Sequence, residues 1–213
     1  MPRLSQGVFI TGTDTGVGKT VVAACLVRKF QADYWKPAQT GVAEEAGDSE
    51  TVAALAALPP ARLHPPRHVF LAPLSVQAAA ALEGVTVKLA DFVLPATQAP
   101  LVVEGAGGVM VPIAPGVLMI DLMAHLKLPV ILVARTTLGT INHTLLSLAA
   151  LRSRGLTVAG VVLVGAKSPG NRDAIALHGT VRILHELPLL ASVTPHSVAA
   201  ASGAFPSFAD AIA

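Results

Sequence analysis

The residues best suited to chemistry lie near the start of the chain, where an apolar stretch enters a glycine-rich loop. Val8–Thr11 is followed by Gly12-Thr13-Asp14-Thr15-Gly16-Val17-Gly18-Lys19-Thr20. Glycines let successive backbone N–H groups surround phosphate oxygens, and the next helix directs its positive end toward them. Lys19 would neutralise phosphate charge, and the Thr20 hydroxyl would bind Mg²⁺. The residues predicted to bind a nucleoside triphosphate here are Thr13, Asp14, Thr15, Gly16, Val17, Gly18, Lys19, Thr20 and Val21.

This loop departs by one residue from the usual spacing of a P-loop. The strict motif places its first glycine five positions before the second, at Thr13, whereas this chain has Gly12. The helical pattern of Val21–Phe30 follows directly. The sequence therefore predicts an atypical P-loop between a strand and a helix.

Apolar, strand-sized runs recur along the chain and alternate with segments of helical spacing. This alternation predicts a three-layer α/β fold with a mostly parallel sheet, like that of P-loop NTPases. Because the strands are continuously apolar, helices should cover both faces of the sheet. The carboxyl ends of parallel strands lie at one edge, so the polar segments that follow them should converge there. The predicted strands are Val8–Thr11, Tyr34–Ala38, Leu101–Glu104, Val130–Ala134 and Val158–Val164.

Two acidic residues are candidates for a magnesium site at that edge. Glu104 closes a strand and precedes Gly105-Ala106-Gly107-Gly108, a stretch suited to close approach of a ligand. Asp48 begins a helical pattern, where it acts either as a helix N-cap or as a metal ligand. With Thr20 the two carboxylates would form the oxygen-rich shell that magnesium prefers.

A second lysine follows the second predicted strand. Lys36, next to Pro37, is either an exposed residue at a strand end or a cation that points into the site. In the second case, Lys19 and Lys36 would place two ammonium groups beside a transferring phosphoryl group. Thr40 offers a hydroxyl for a second substrate.

A helix is predicted to begin near Leu138 and to extend through Leu151. Its free N–H groups could bind a carboxylate, although capping by Thr140 explains the same pattern. We keep both interpretations of this segment.

Length and composition fit an enzyme of one domain, residues 1–213. The chain has 53% hydrophobic residues and a net charge of +2, without a basic run interleaved with aromatics, so a nucleic-acid groove is not expected. No apolar run approaches the roughly 18 residues of a membrane span, and the first residues lack the pattern of an export signal. We therefore expect a cytoplasmic protein.

Together these motifs resemble the dethiobiotin synthetase family over nearly the whole chain. The most specific elements are the loop with its extra residue and three later segments: Lys36-Pro37-Ala38-Gln39-Thr40-Gly41, Val103-Glu104-Gly105-Ala106-Gly107-Gly108 and Leu138-Gly139-Thr140-Ile141-Asn142-His143. The resemblance implies a homodimer with composite sites that closes a cyclic urea on 7,8-diaminopelargonic acid, using CO₂ and ATP.

The resemblance also implies individual roles. Thr20, Asp48 and Glu104 would hold Mg²⁺, and Lys19 and Lys36 would be the catalytic cations. The diamine would lie against Thr15, Lys36 and Thr40. Its carboxylate would be bound across the subunit interface by Leu138, Gly139, Thr140, Ile141 and Asn142.

The nucleotide base is where this chain differs from the family. Members often carry an Asn-Asp pair that reads adenine, at the position of Val164-Gly165 here. The other candidates around the base offer only backbone and apolar contacts, so we expect weak discrimination among ATP, CTP and GTP. Besides the loop, the predicted nucleotide contacts are Asp48, Glu104, Gly105, Ala106, Gly107, Val164, Gly165, Pro188, Leu189 and Leu190.

Two other kinds of ATP-using protein share such a loop. Switch ATPases of the partition and septum-positioning kind carry a second lysine five positions before the loop lysine, where this chain has Asp14. The ATP-using part of a glutamine-dependent amidase works with a glutaminase domain and its nucleophilic cysteine. The one cysteine here, Cys25, falls on the helix after the loop. The switch ATPase is the alternative function.

Overall fold

The computed structural model describes residues 7–44 and 46–213, and its centre is a seven-stranded parallel sheet. Residues 1–6, part of the segment used to judge export, lie outside the described residues. The strands of this sheet are β1 Gly7–Gly12, β2 Asp33–Trp35, β4 Leu63–His64, β6 Leu101–Gly108, β9 Val130–Arg135, β10 Val158–Val164 and β11 Ile183–Leu187. Their order across the sheet is β11-β10-β9-β1-β6-β2-β4, and every neighbouring pair is parallel.

Helices cover both faces of the sheet, as the apolar strands predicted. The helices are α1 Lys19–Phe30, α2 Asp48–Ala56, α3 Val76–Leu82, α4 Met119–Leu126, α5 Thr140–Ser153, α6 Pro169–Gly179, α7 Pro195–Ser202 and α8 Phe208–Ile212. One face of the sheet packs against α1, α2, α7 and α8, and the other against α3, α4, α5 and α6. Two short sheets add β3 Ala38–Gln39 with β5 His68–Val69, and β7 Pro112–Ala114 with β8 Val117–Leu118. The prediction of a three-layer α/β fold is confirmed.

The third predicted strand is longer than its apolar run. β6 continues through the glycines to Gly108, which pairs with Gly12 of β1 across an irregularity in the register. Glu104 therefore lies inside the strand, opposite Ile10, rather than at its end. Glycine-rich backbone can continue the ladder here because the hydrogen bonds of a strand do not require side chains.

The segment Ala53–Pro73, rich in alanine and proline, contains the end of α2 and the two short strands β4 and β5. Its histidines have acidic partners: His64 lies 3.2 Å from Asp33, and His68 lies 3.4 Å from Asp91. Its alanine and proline content concealed two-residue strands, which are too short to show a period.

The alanine- and serine-rich stretch after Ser197 also packs against the sheet. Val198, Phe205 and Ala211 are buried on the α1 face. With the partly buried Phe208 and Ile212, they attach α7 and α8 to the core. Among the described residues, no helix combines the length and apolar character needed to cross a membrane.

Candidate functional site

The P-loop connects β1 to α1 at the carboxyl edge of the sheet. Gly18 adopts the left-handed conformation, with φ of 96°, and precedes the first residue of α1, Lys19. Only glycine enters this conformation without strain. Because Gly18 has no side chain to cap the helix, the first N–H groups of α1 are left for phosphate oxygens.

The ammonium group of Lys19 folds back across this loop. Its Nζ donates to the carbonyl oxygen of Asp14 at 3.0 Å, and the side chain is largely buried. Burial, followed by repulsion from Lys36, lowers the pKa of Lys19 to about 8. A polyanion bound in the loop would restore the charged form, so ATP binding should be accompanied by proton uptake near that pH.

The three predicted magnesium ligands lie together beside the loop: Thr20, Asp48 and Glu104. The Thr20 hydroxyl is 2.8 Å from Asp48 Oδ1 and 3.1 Å from Glu104 Oε1, and its one hydrogen can be donated to either. These residues come from α1, α2 and β6, which are separated by many residues in sequence. The parallel sheet and the α1–α2 packing are what bring them to one point.

Lys36 joins the same cluster from the segment that follows β2. Its Nζ is 2.5 Å from Asp48 Oδ2 and 3.1 Å from Glu104 Oε1, and it also donates to the Gly105 carbonyl at 3.2 Å. The side chain is only 3% exposed. Of the two interpretations of Lys36, the inward-pointing cation is correct.

Charge within the cluster is closely balanced. Burial alone would lower the pKa of Lys36, but the Glu104 and Asp48 carboxylates hold it above its ordinary value. Burial would likewise raise the pKa of Asp48, and Lys36 together with the Thr20 hydroxyl holds it below its usual range. Lys36 is therefore an ammonium and Asp48 a carboxylate at neutral pH.

The donor set fits a magnesium ion. Thr20, Asp48 and Glu104 offer hard oxygen atoms, which Mg²⁺ prefers, and magnesium normally completes its shell with water and substrate phosphates. No group of three or more His, Cys, Asp or Glu side chains suited to a metal occurs within residues 7–44 and 46–213. A metal here would therefore rely on the threonine and the nucleotide as well as on the two carboxylates.

The first turn of helix α2 is capped by a residue that the sequence did not reveal. Gly47, not Asp48, is the N-cap, so Asp48 is the first helical residue and its carboxylate is free to face Thr20 and Lys36. The missing cap is supplied by Gln39, whose Oε1 accepts from the Ser49 backbone N–H at 3.0 Å. A Cβ at Gly47 would lie 1.8 Å from the Gln39 amide nitrogen, so any larger residue would displace the amide that caps the helix. Gln39 was missed because its partner lies on the far side of a loop.

Replacing Gln39 with alanine should loosen the start of α2. The Ser49 N–H would lose its acceptor, at a cost of about 1–2 kcal/mol in the free energy of unfolding. Urea denaturation measures the change, with Gln77→Ala on α3 as the matched control, for which we expect less than about 0.5 kcal/mol. Equal losses in the two variants would show that Gln39 does not cap α2.

The second oxygen of Glu104 has its own donor, which the sequence also did not reveal. The hydroxyl of Tyr34, in β2, donates to Glu104 Oε2 at 2.8 Å, and both side chains are fully buried. Burial and the carboxylates of Glu104 and Asp48 raise the pKa of Tyr34 well above its ordinary value. Tyr34 therefore remains a hydrogen-bond donor throughout the working range of pH.

A groove of about 380 Å³ opens on the other side of the P-loop. Thr15 lies on its wall, as do Leu146 and Ser147 of α5. Thr40, the other threonine predicted to contact the substrate, is half-buried and directly follows β3. The groove is large enough for part of a small organic substrate next to the phosphate site.

The candidate carboxylate site at the start of α5 is exposed in the single chain. Gly139 is the N-cap, and the Thr140 hydroxyl donates to the Arg135 carbonyl, so capping by Thr140 is the wrong interpretation. Leu138 is fully exposed. In the described part of the chain, no hydrogen bond joins Leu138–Asn142 to the cluster around Glu104.

The predicted base-binding residues lie where β10 and β11 end. The side chain of Val164 lies beside Gly18, because a Cβ at Gly18 would be 3.1 Å from it. Gly165 donates its N–H to the Leu187 carbonyl at 2.9 Å, so Pro188, Leu189 and Leu190 follow β11 at the same edge of the sheet. A Cβ at Gly165 would lie 2.2 Å from the Thr136 hydroxyl, so aspartate here would have to displace the Thr136 side chain, and the φ of 140° also disfavours it.

A larger cavity, of about 810 Å³, lies at the opposite end of the strands. It is lined by the first residues of β2 and β6, Asp33 and Leu101, and by Arg62. Arg62 and His64 are already paired with Asp33. This cavity therefore offers few free polar groups and is remote from the P-loop.

The fold has a counterpart among solved structures. A ParA-family ATPase from Chlorobium tepidum TLS superposes with a TM-score of 0.50 at 13% identity, covering 93% of this chain and 91% of that one. At this identity the likeness concerns the fold alone. A family model described as an AAA domain matches residues 6–197.

Sequence comparison identifies much closer relatives. The chain is 58% identical to the biotin biosynthesis bifunctional protein BioCD of Bordetella avium, covering 92% of this chain but 42% of that protein. It is 54% identical to the ATP-dependent dethiobiotin synthetase BioD of Paramagnetospirillum magneticum, covering 91% and 93% of the two chains. It is 46% identical to the enzyme of the same name from Rhodopseudomonas palustris, covering 98% and 94%. With this identity over nearly the full length of both BioD chains, the protein belongs to the family of ATP-dependent dethiobiotin synthetases.

Proposed function

We propose that this protein closes the cyclic urea of dethiobiotin on 7,8-diaminopelargonic acid, using CO₂ and ATP. The family performs an ATP-dependent step of biotin biosynthesis. The single observation that carries the proposal is the cluster of Thr20, Lys36, Asp48 and Glu104 beside the P-loop. It combines two carboxylates and a hydroxyl for a metal with a buried cation for a second anion.

The proposed reaction has three bond-forming steps. One amine of the diamine adds to CO₂ and loses a proton, which gives a carbamate. A carbamate oxygen then forms a bond to the γ-phosphorus as the bond to the β–γ bridging oxygen breaks, and ADP leaves. Finally the second amine attacks the carbamate carbon, phosphate leaves with the electron pair of the C–O bond, and the nitrogen loses a proton.

The residues act in this scheme by positioning and by charge, which supply most of the catalysis in phosphoryl transfer. Lys19 would bind the β- and γ-phosphates once it leaves the Asp14 carbonyl. Lys36 would stabilise the carbamate and the equatorial oxygens of the transferring group. Neither role requires a general base, in keeping with a cluster that contains no histidine.

A magnesium ion held by Thr20, Asp48 and Glu104 would supply charge neutralisation for the β- and γ-phosphates. In its presence the Lys36 ammonium need no longer balance both carboxylates. Lys36 is then free to face the carbamate, since its Nζ already lies at the junction of the two carboxylates and the Gly105 carbonyl.

The substrate carboxylate would be bound at the start of α5 in a homodimer with composite sites. The backbone N–H groups of Ile141 and Asn142 are the candidates for this contact, since that of Thr140 donates to the Thr137 carbonyl at 3.1 Å. Leu138 and Leu146 expose large apolar side chains, which a second subunit would cover. The diamine would extend from there along the groove beside Thr15 toward Lys36.

The test is to supply ¹³C-bicarbonate with the diamine, ATP and Mg²⁺ and to identify the product by mass spectrometry. Dethiobiotin carrying one ¹³C at the ureido carbon is the expected result. Unlabelled product, or nucleotide hydrolysis without an organic product, would contradict the proposal.

From the predicted base-binding residues at the ends of β10 and β11 we expect weak discrimination among ATP, CTP and GTP. Val164 and Gly165 present no side-chain amide, and Pro188–Leu190 add backbone and apolar contacts. We expect kcat/KM values for the three nucleotides within about tenfold, since loss of one base-reading hydrogen bond removes about 1–1.5 kcal/mol. Steady-state kinetics with each nucleotide measures this, and Val164→Asn should increase the preference for ATP. A strong ATP preference in the unaltered protein would refute the prediction.

A further inference from the structure

We propose that Tyr34 is a positioning residue for Glu104. Its hydroxyl holds one carboxylate oxygen of Glu104 so that the other faces the metal. The inference rests on the proposed function, because it assumes that Glu104 binds magnesium. It adds a residue that lies outside the four family motifs.

The register of the sheet places the two side chains together. Tyr34 pairs with Val102 across the β2–β6 ladder, and Glu104 follows Val102 by two residues, on the same face of the sheet. Tyr34 and Val102 both pack into the core under α1. The tyrosine hydroxyl therefore reaches Glu104 from the buried core.

The two carboxylate oxygens of Glu104 have different hydrogen-bond partners. Oε2 accepts from Tyr34 at 2.8 Å, whereas Oε1 lies 3.1 Å from both the Thr20 hydroxyl and the Lys36 ammonium. Within the described part of the chain, no other donor lies within hydrogen-bonding distance of Oε2. Tyr34 therefore anchors the buried oxygen of Glu104 and, through it, the angle of the carboxylate plane.

This restraint matters because the last torsion of a glutamate is broad and roughly two-fold. Without the hydroxyl, the carboxylate plane could rotate away from the angle at which one oxygen faces Thr20 and Lys36. Residues that orient a metal ligand typically change metal affinity or activity by about 10- to 100-fold when removed. We expect an effect of that size here.

Tyr34→Phe separates positioning from packing, because the ring stays in the core and only the hydroxyl is lost. The probe is Mn²⁺, titrated by electron paramagnetic resonance in the presence of a non-hydrolysable ATP analogue. We expect Mn²⁺ affinity to fall by about 10-fold or more. Affinity for the analogue without metal should stay the same, and kcat at saturating Mg²⁺ should fall by less than the metal affinity.

Two further variants make the outcome specific. Thr144→Val removes another fully buried hydroxyl, away from the carboxylates, and should leave Mn²⁺ affinity unchanged. Glu104→Gln tests the site itself. If the unaltered protein binds Mn²⁺ no better than Glu104→Gln, the metal site and with it the proposed function fail. If Glu104→Gln loses Mn²⁺ but Tyr34→Phe binds it normally, only the role of Tyr34 is overturned.

A second measurement avoids mutation, because Tyr34 is the only tyrosine in the chain. Biosynthetic incorporation of 3-fluorotyrosine therefore places one ¹⁹F label beside Glu104. Adding Mg²⁺ to the complex with the ATP analogue should shift this resonance. An unchanged resonance at saturating Mg²⁺ would overturn the inference even if Tyr34→Phe failed to fold.

Discussion

Lys36→Met is expected to lower kcat by about 10²- to 10³-fold, and to destabilise the metal-free protein. Lys36 is the buried cation between Asp48 and Glu104, and loss of one preorganised charge at a reacting group typically costs this much in rate. Its removal also leaves two carboxylates facing each other. Because Asp48 is 38% exposed, we expect the free energy of unfolding to fall by about 3 kcal/mol, the lower end for breaking a buried ion pair.

Magnesium should restore the stability of Lys36→Met but not its kcat. In Lys36→Met the unpaired carboxylates gain a cation when Mg²⁺ binds, so thermal stability should rise with Mg²⁺ concentration more steeply than in the unaltered protein. Lys29→Met, on the outer part of α1, is the control and should change neither kcat nor the response to Mg²⁺. A metal-free Lys36→Met variant as stable as the control would contradict the charge balance described for the cluster.

Glu104→Gln is expected to reduce kcat by about 10³-fold and to weaken metal binding more than any residue that only orients a ligand. The amide keeps the shape of the side chain but removes the negative charge that faces Thr20 and Lys36. Its NH₂ group would face either the Tyr34 hydroxyl, which can turn to accept, or the Lys36 ammonium, which cannot accept.

The measurement is kcat at saturating Mg²⁺ together with Mn²⁺ affinity. Glu44→Gln, which changes a carboxylate on an exposed loop, is the matched control and should match the unaltered protein in both. Normal Mn²⁺ affinity in Glu104→Gln would show that the ion, if bound, lies elsewhere.

The sequence was most informative where the chemistry is contiguous. The P-loop could be recognised because its glycines, Lys19 and Thr20 are neighbours in the chain. Convergence of the strand-end segments followed from the parallel sheet, whose carboxyl ends share one edge. Lys36 and Asp48 were each left with two interpretations, because local patterns do not reveal what a side chain faces.

The residues that sequence reasoning missed act across long separations. Tyr34 looked like an ordinary strand residue, and its partner lies 70 positions away on a neighbouring strand. Gln39 caps a helix from outside that helix, so no capping pattern appears near Asp48. Both depend on strand register and loop path, which propensity and periodicity do not determine.

Phosphate release from ATP should depend on both co-substrates. With ATP and Mg²⁺ present, release should require the diamine and bicarbonate together, and omission of either should reduce it to background. One phosphate should appear per dethiobiotin formed. Release at the same rate without diamine and bicarbonate would contradict the proposed ring closure and favour a protein that uses ATP hydrolysis as a switch.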